Sequence, residues 1–398
     1  MKNLRSFYHV LSFLLLFFLV SPCLSSAAAP PALPEPPALI SEQFEKLHLD
    51  DLQGYLRQVD RELQNQLSEV SLSQVLASIR RGELDLNLTN LFGALLKFFF
   101  QAVLTHSVLL GKLLVLGTIL AILEHLQGAF EQNAVARLAH GVGILSLLTV
   151  AISSFTVALN TGREAIGNMV GFMHALLPVL LTLMAALGNF STVALMHPVI
   201  LISLNVLGTL TRNFVFPLIF CAAVLGIVNH LSERFQVSRL AALFRDGSVV
   251  LLSLFLTIFI GILGIQGVAG AVTDGIGLRT AKFLTGAFVP VVGGILSDAV
   301  EAVVGCSLFL KNAVGILGAL TLLFLCALPI VKILSAAFIY RLAAALMQPL
   351  GAQRLGECLQ MLGNYLFLVF AAVTGVGLMF LVALTIIVGL GNMVVMLR

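Results

Sequence analysis

The sequence contains no tryptophan and only four tyrosines, so the aromatic belt that marks most membrane interfaces has to come from phenylalanine or be weak. Charge is scarce as well. Asp, Glu, Lys and Arg make up 10% of the 398 residues, against about 25% in a soluble globular domain. With 59% hydrophobic residues and a mean hydropathy of +1.05, a water-soluble globule is excluded. The chain reads as a polytopic membrane protein with a small water-exposed part. The net charge of +3 is no sign of nucleic acid, because Lys and Arg are scattered between apolar runs and form no basic face.

Catalytic and metal-binding patterns are missing too. There is no HExxH, no GxSxG and no GxxxxGK in the sequence, hence no zinc-peptidase helix, nucleophile elbow or phosphate loop. Lys112 does follow Gly111, but position 106 is His106 and not a loop glycine. The chain is therefore read as a non-enzyme with no cofactor, and any ATP-driven work would need a separate subunit. Cys23, Cys221, Cys306, Cys326 and Cys358 show neither CxxC nor Cys/His spacing. Four of them lie in apolar runs and read as small hydrophobes. His125, His140, His174, His197 and His230 stand one to a span end, without ligand spacing, and read as helix-packing residues.

Residues 1–29 read as a secretory signal peptide. Lys2 and Arg5 form its basic end, Val10 to Val20 its apolar core, and Ser25 to Ala29 offers small residues for cleavage. An uncleaved anchor is the alternative; either one exports the segment after it. Residues 30–91 make an exported region that opens with the stiff spacer PPALPEPP. Apolar residues then recur at threes and fours through Phe44, Leu52, Tyr55, Val59, Leu63 and Val70, the pattern of an amphipathic helix. A second short helix is expected over 72–81. Two helices bury too little to stand alone. This region is either a packing cap on the membrane body or a docking element for an exported partner.

Membrane spans come next, the first of them over 92–164. They are expected near 105–126, 138–159, 168–188, 193–211, 214–230, 248–270, 283–305, 309–327, 330–347 and 364–390, each close to the roughly 20 residues a bilayer requires. Bent helices over 193–230 and 309–347 would leave about eight. The fold class is all-α, a polytopic membrane helix bundle of 8–10 spans. Export of the N-terminal region places 231–247 and 348–363 inside, and a mild positive-inside bias agrees. That topology leaves Arg163, Arg279, Lys282 and Arg398 in outside loops.

Pro178 and Pro290 stand 112 residues apart, and Pro217 and Pro329 repeat the same interval. This suggests two tandem repeats, 165–268 and 277–398, the second ending near 390. Parallel repeats are one way to build a transporter or pore around a midplane site. The four prolines, with Gly293 and Gly294, are candidate helix breaks or kinks.

Charge concentrates in the second repeat. Asp298 and Glu301 are three apart and share a helical face. Lys311 and Asn312 come ten residues later within a stretch otherwise apolar enough for lipid. Ionisable groups at that depth cost several kcal/mol unless paired or hydrated, which makes them a functional hypothesis by default. The four residues form a candidate polar path or gate. The competing readings are an ion-paired staple between helices and a loop in water.

The segment carrying these charges also carries a resemblance. Arg279-Thr280-Ala281-Lys282-Phe283, Phe288-Val289-Pro290-Val291-Val292-Gly293, Ser297-Asp298-Ala299 and Lys311-Asn312-Ala313-Val314-Gly315 occur in that order. In this, and in its overall layout, the chain resembles the stage III sporulation protein AE family of endospore-forming bacteria. The resemblance implies a non-enzymatic multi-pass subunit of an eight-protein set made in the mother cell. With a forespore membrane protein, that set forms a channel-like secretion complex across the space between the two membranes and supports late forespore development. The implied partners are the other stage III membrane proteins, an ATPase-like subunit among them, and the lipid bilayer. The alternative class is a stand-alone secondary transporter in which the charged cluster binds a coupling ion.

Overall fold

The computed structural model describes residues 50–66, 88–129, 134–231, 237–288 and 293–396. Among these there is no strand, and nearly every residue is helical. The signal peptide, the proline-rich spacer, the helix expected over 72–81 and Pro290 lie outside the described residues.

The helices are α1 (Asp50–Gln66), α2 (Leu88–Ala129), α3 (Ala134–Ala186), α4 (Phe190–Leu210), α5 (Phe216–Leu231), α6 (Ser238–Phe288), α7 (Gly293–Met347) and α8 (Gln353–Met396). A π-helical turn, Thr211–Val215, joins α4 to α5 without a break, so the two make one rod. Among the described residues, six stretches are long and apolar enough to cross a membrane: Leu96–Leu123, Gly141–Ala186, Phe190–His230, Ser238–Gln266, Gly305–Met347 and Gln353–Gly389. The all-α, polytopic reading of the sequence agrees with this.

Among the described residues, several of the expected spans merge, because helices run on where the hydropathy pattern is interrupted. The expected spans 138–159 and 168–188 are one helix, and Arg163 lies inside it rather than in a loop. Spans 193–211 and 214–230 are joined through the π turn, and 309–327 and 330–347 are both within α7. The expected span 283–305 straddles the junction between α6 and α7.

Pro178 is inside α3 and Pro329 inside α7, and neither ends its helix. Pro217 stands two residues past the π turn, and the Phe216 N–H donates to the Thr211 carbonyl, a wider loop than an α-helix closes. That widening lies just where the proline removes a donor. Gly293 opens α7 and Gly294 continues it. At Gly162, absence of a side chain serves packing rather than a break. A Cβ there would lie 3.1 Å from Val369, 3.2 Å from Phe216 and 3.2 Å from Val373.

The centre of the bundle is the antiparallel pair α7 and α8. Over the most apolar windows of these two helices, 56% and 50% of residues are buried, against 22% in the outer helices α2 and α6. The turn between them uses Gly351 at φ 85°, and the turn from α3 to α4 uses Gly188 at φ 87°, a backbone region that other residues enter only at a cost. On one side of the pair, α2 and α3 pack against α7; on the other, α4, α5 and α6 pack together and reach α8. Helix α8 therefore bridges the two groups. Helix α1 lies against α3 and α7, with Leu52 and Val59 buried and Tyr55 edge-on to Phe172 at 6.0 Å. The amphipathic pattern over 50–66 thus finds its partner in the membrane body, as a packing cap would.

Candidate functional site

Helix α7 carries the candidate path residues. Asp298 and Glu301 fall in its first turns, and their side chains lie outside those described. Lys311 is fully buried, and its Nζ donates to the Val388 carbonyl of α8 at 2.8 Å. Four residues on, Gly315 faces the same residue: a Cβ there would stand 2.6 Å from Val388 Cγ2. Ser307, one turn before Lys311, is buried with no hydrogen-bond partner for its hydroxyl, and neither has the Asn312 Oδ1. Lys311, Gly315 and Val388 thus make one joint, in which a bare stretch of α7 admits α8 and the ammonium reaches its backbone. In apolar surroundings an ammonium bound to a carbonyl is far better placed than an unpartnered one. This bond to a main-chain oxygen is one that residue spacing does not reveal.

A cavity elsewhere joins residues from three helical segments. Arg163 of α3, Arg212 and Asn213 of the π turn, and Pro217 of α5 line a space of about 330 Å³ that is open to the surface, with Arg212 and Asn213 exposed and Arg163 half-buried. The Arg163 Nε and the Thr211 Oγ1 are buried with no hydrogen-bond partner. The Arg212 Nη1 lies 3.4 Å from the position of a Cβ on Gly167, one helical turn along from Arg163. No ion pair to either arginine is found among the described residues. The signal available in sequence was an arginine midway along each of two apolar stretches, and the hydropathy pattern disguised it as a loop.

Comparison with known proteins fits this architecture. The family described as stage III sporulation protein AE matches residues 70–391, from ahead of α2 to near the end of α8. The stage III sporulation protein AE of Bacillus subtilis (strain 168) is 45% identical over 305 residues, covering 77% of this chain and 76% of that protein. The chain belongs to the stage III sporulation protein AE family. No solved structure matches it.

Family membership covers every long helix of the bundle, the Lys311 joint and the arginine cavity included, and begins after α1. In this family member α3, α7 and α8 are tied by further polar contacts within apolar packing. The Tyr340 hydroxyl donates to the Ala151 carbonyl, linking α7 to α3 in a fully buried position. Arg341 donates to Asn364 Oδ1 at 2.8 Å and stacks over the Phe367 ring at 4.2 Å, linking α7 to α8. His174 Nε2 meets Asn205 Oδ1 at 3.1 Å between α3 and α4, and the His230 ring bonds the Gly226 carbonyl. His174 therefore bonds between helices, whereas the His230 bond stays within α5. Among the described residues no group of His, Cys, Asp and Glu is placed to hold a metal.

The tyrosine contact can be tested directly. Tyr340→Phe keeps the ring and removes only the hydroxyl, so the loss should be that of one interhelical hydrogen bond, about 1 kcal/mol. Thermal unfolding in detergent should show a fall of a few degrees in Tm. An unchanged Tm would mean that the contact to Ala151 contributes nothing.

Proposed function

We propose that this chain is a multi-pass membrane subunit of the channel or secretion complex that joins mother cell and forespore during sporulation. It is set in the mother-cell membrane around the forespore, with its N-terminal region exported. The observation that carries this reading is membership of a sporulation protein family in a chain whose described body is a bundle of membrane-crossing helices. Its role is structural and conductive rather than catalytic. Asp298, Glu301, Lys311 and Asn312 form part of a polar path or gate along α7, which the buried Lys311 and the unpaired Asn312 amide oxygen support. The partners are the other stage III membrane proteins, and a separate ATPase subunit supplies any energy. Two tandem membrane repeats would place this path in the second.

The test is replacement in Bacillus subtilis lacking its own family member. A tagged copy of this chain should restore heat-resistant spores and co-purify with the other stage III membrane proteins from sporulating cells. Spore formation that needs none of those partners, with solute uptake by the purified chain alone in vesicles, would overturn the proposal in favour of a stand-alone transporter.

A further inference from the structure

Arg163 stands about midway along the apolar stretch Gly141–Ala186, and Arg212 about midway along Phe190–His230. Each half is close to 20 residues, or about 30 Å of helix, the thickness of a hydrocarbon core. Whichever half fills the core, the arginines then lie at its boundary, where headgroup phosphates begin. The two arginines reach one cavity of about 330 Å³ from different helices, and Asn213 adds an amide beside them. Arg163 Nε is buried without a hydrogen-bond partner. Glu164 is next to Arg163 in sequence but is exposed, and no ion pair joins it to either arginine among the described residues.

Arg212 and Asn213 are exposed on the bundle and Arg163 is half-buried, so the hollow is open, and two like charges lining it repel each other where water is scarce. An anion between them removes that repulsion. The guanidinium fork matches phosphate geometry, giving two parallel N–H···O bonds per arginine where a chloride takes one. The backbone is also unusual here. Arg212 and Asn213 are on the π turn, a rare local widening that recurs at binding sites. We infer that Arg163, Arg212 and Asn213 form a binding site for a phosphate group, held between α3 and the α4–α5 rod. The volume suits a phosphate or a lipid headgroup and is far too small for a folded partner. The site is independent of whether the chain conducts anything.

The experiment uses the full-length chain and reads Tm, since a ligand that binds only the folded state raises it. In one arm, inorganic phosphate is titrated into chain held in a neutral detergent, against chloride at matched ionic strength. In the other, the chain is placed in nanodiscs of phosphatidylglycerol or of a phosphate-free glycolipid with the same acyl chains. Stabilisation by phosphate is expected in at least one arm. A shift confined to phosphatidylglycerol identifies the lipid headgroup as the source, and a shift with inorganic phosphate identifies a free anion. The double variant Arg163→Gln with Arg212→Gln should weaken the effect at least tenfold, while Arg245→Gln, which removes an exposed ion pair to Asp246, should leave it intact. If the double variant does not fold, Arg212→Lys decides. It keeps the charge and loses the fork, so the preference for phosphate over chloride should fall. No stabilisation in either arm, or a preference that survives these substitutions, overturns the site.

Discussion

Replacing Gly315 with leucine is expected to force α7 and α8 apart and to leave the bundle unfolded or poorly inserted. The reason is the absence of space. A Cβ at position 315 would stand 2.6 Å from Val388 Cγ2, 3.2 Å from Cγ1 and 3.5 Å from Cβ. The first of these is closer than real carbon atoms approach, so even alanine requires Val388 to turn or α8 to shift, at about 1–3 kcal/mol. Leucine adds three more carbons to the same place, and the joint is at the most buried pair of helices in the molecule. A loss above about 3 kcal/mol would be a large share of a domain's stability. The contact also predicts its own rescue. Val388→Ala removes both crowding γ-carbons and leaves only the ordinary 3.5 Å contact. The pair Gly315→Ala with Val388→Ala should therefore be more stable than the sum of the single changes implies, by about 1 kcal/mol or more. Thermal or denaturant unfolding of the four proteins in one detergent gives the cycle. Additive losses would show that the glycine is not what admits α8.

The class of the molecule was legible because composition and hydropathy are local and additive, and a chain this poor in charge has no soluble alternative. The family was legible for another reason. The runs that carried the resemblance, around Pro290, Asp298 and Lys311, stand out against apolar background, and the match over 70–391 shows the family. Helix continuity was not legible. A window that meets Asn160, Thr161, Gly162, Arg163 and Glu164 reads a loop, yet Gly162 packs against Val369, Val373 and Phe216 of other helices. That contact, which joins residues far apart in the chain, decides between break and rod. The same holds at Thr211–Val215, where a π turn absorbs what looked like a boundary. The Lys311 bond to α8 was hidden for a stricter reason. It goes to a backbone carbonyl 77 residues away, and a carbonyl has no residue type to find. The arginine cavity was missed because each arginine alone is an ordinary interruption; only the crossing of α3 with the α4–α5 rod makes them a pair.

Lys311→Met is expected to separate stability from function. Methionine nearly fills the space of the lysine stem and removes the ammonium, so the packing of α7 survives. Two opposing terms then change. The bond from Nζ to the Val388 carbonyl is lost, a contact of about 1–2 kcal/mol within a membrane bundle. The cost of holding a charged group at a position with no exposure is removed as well, and replacing buried charge with apolar volume is often neutral or stabilising. Tm should therefore move by only a few degrees in either direction. Lys311→Ala is the contrast, because it leaves a void as well as a lost bond, and should cost about 2–4 kcal/mol. If Lys311 belongs to a polar path or gate, the methionine chain will be present in the membrane at normal level and spore yield will fall at least tenfold. Heat-resistant spore counts, set beside chain abundance and Tm for the wild type and both variants, provide the measurement. Normal spore yield with methionine at 311 would leave the lysine as a tether between α7 and α8, and the gate would have to be sought elsewhere.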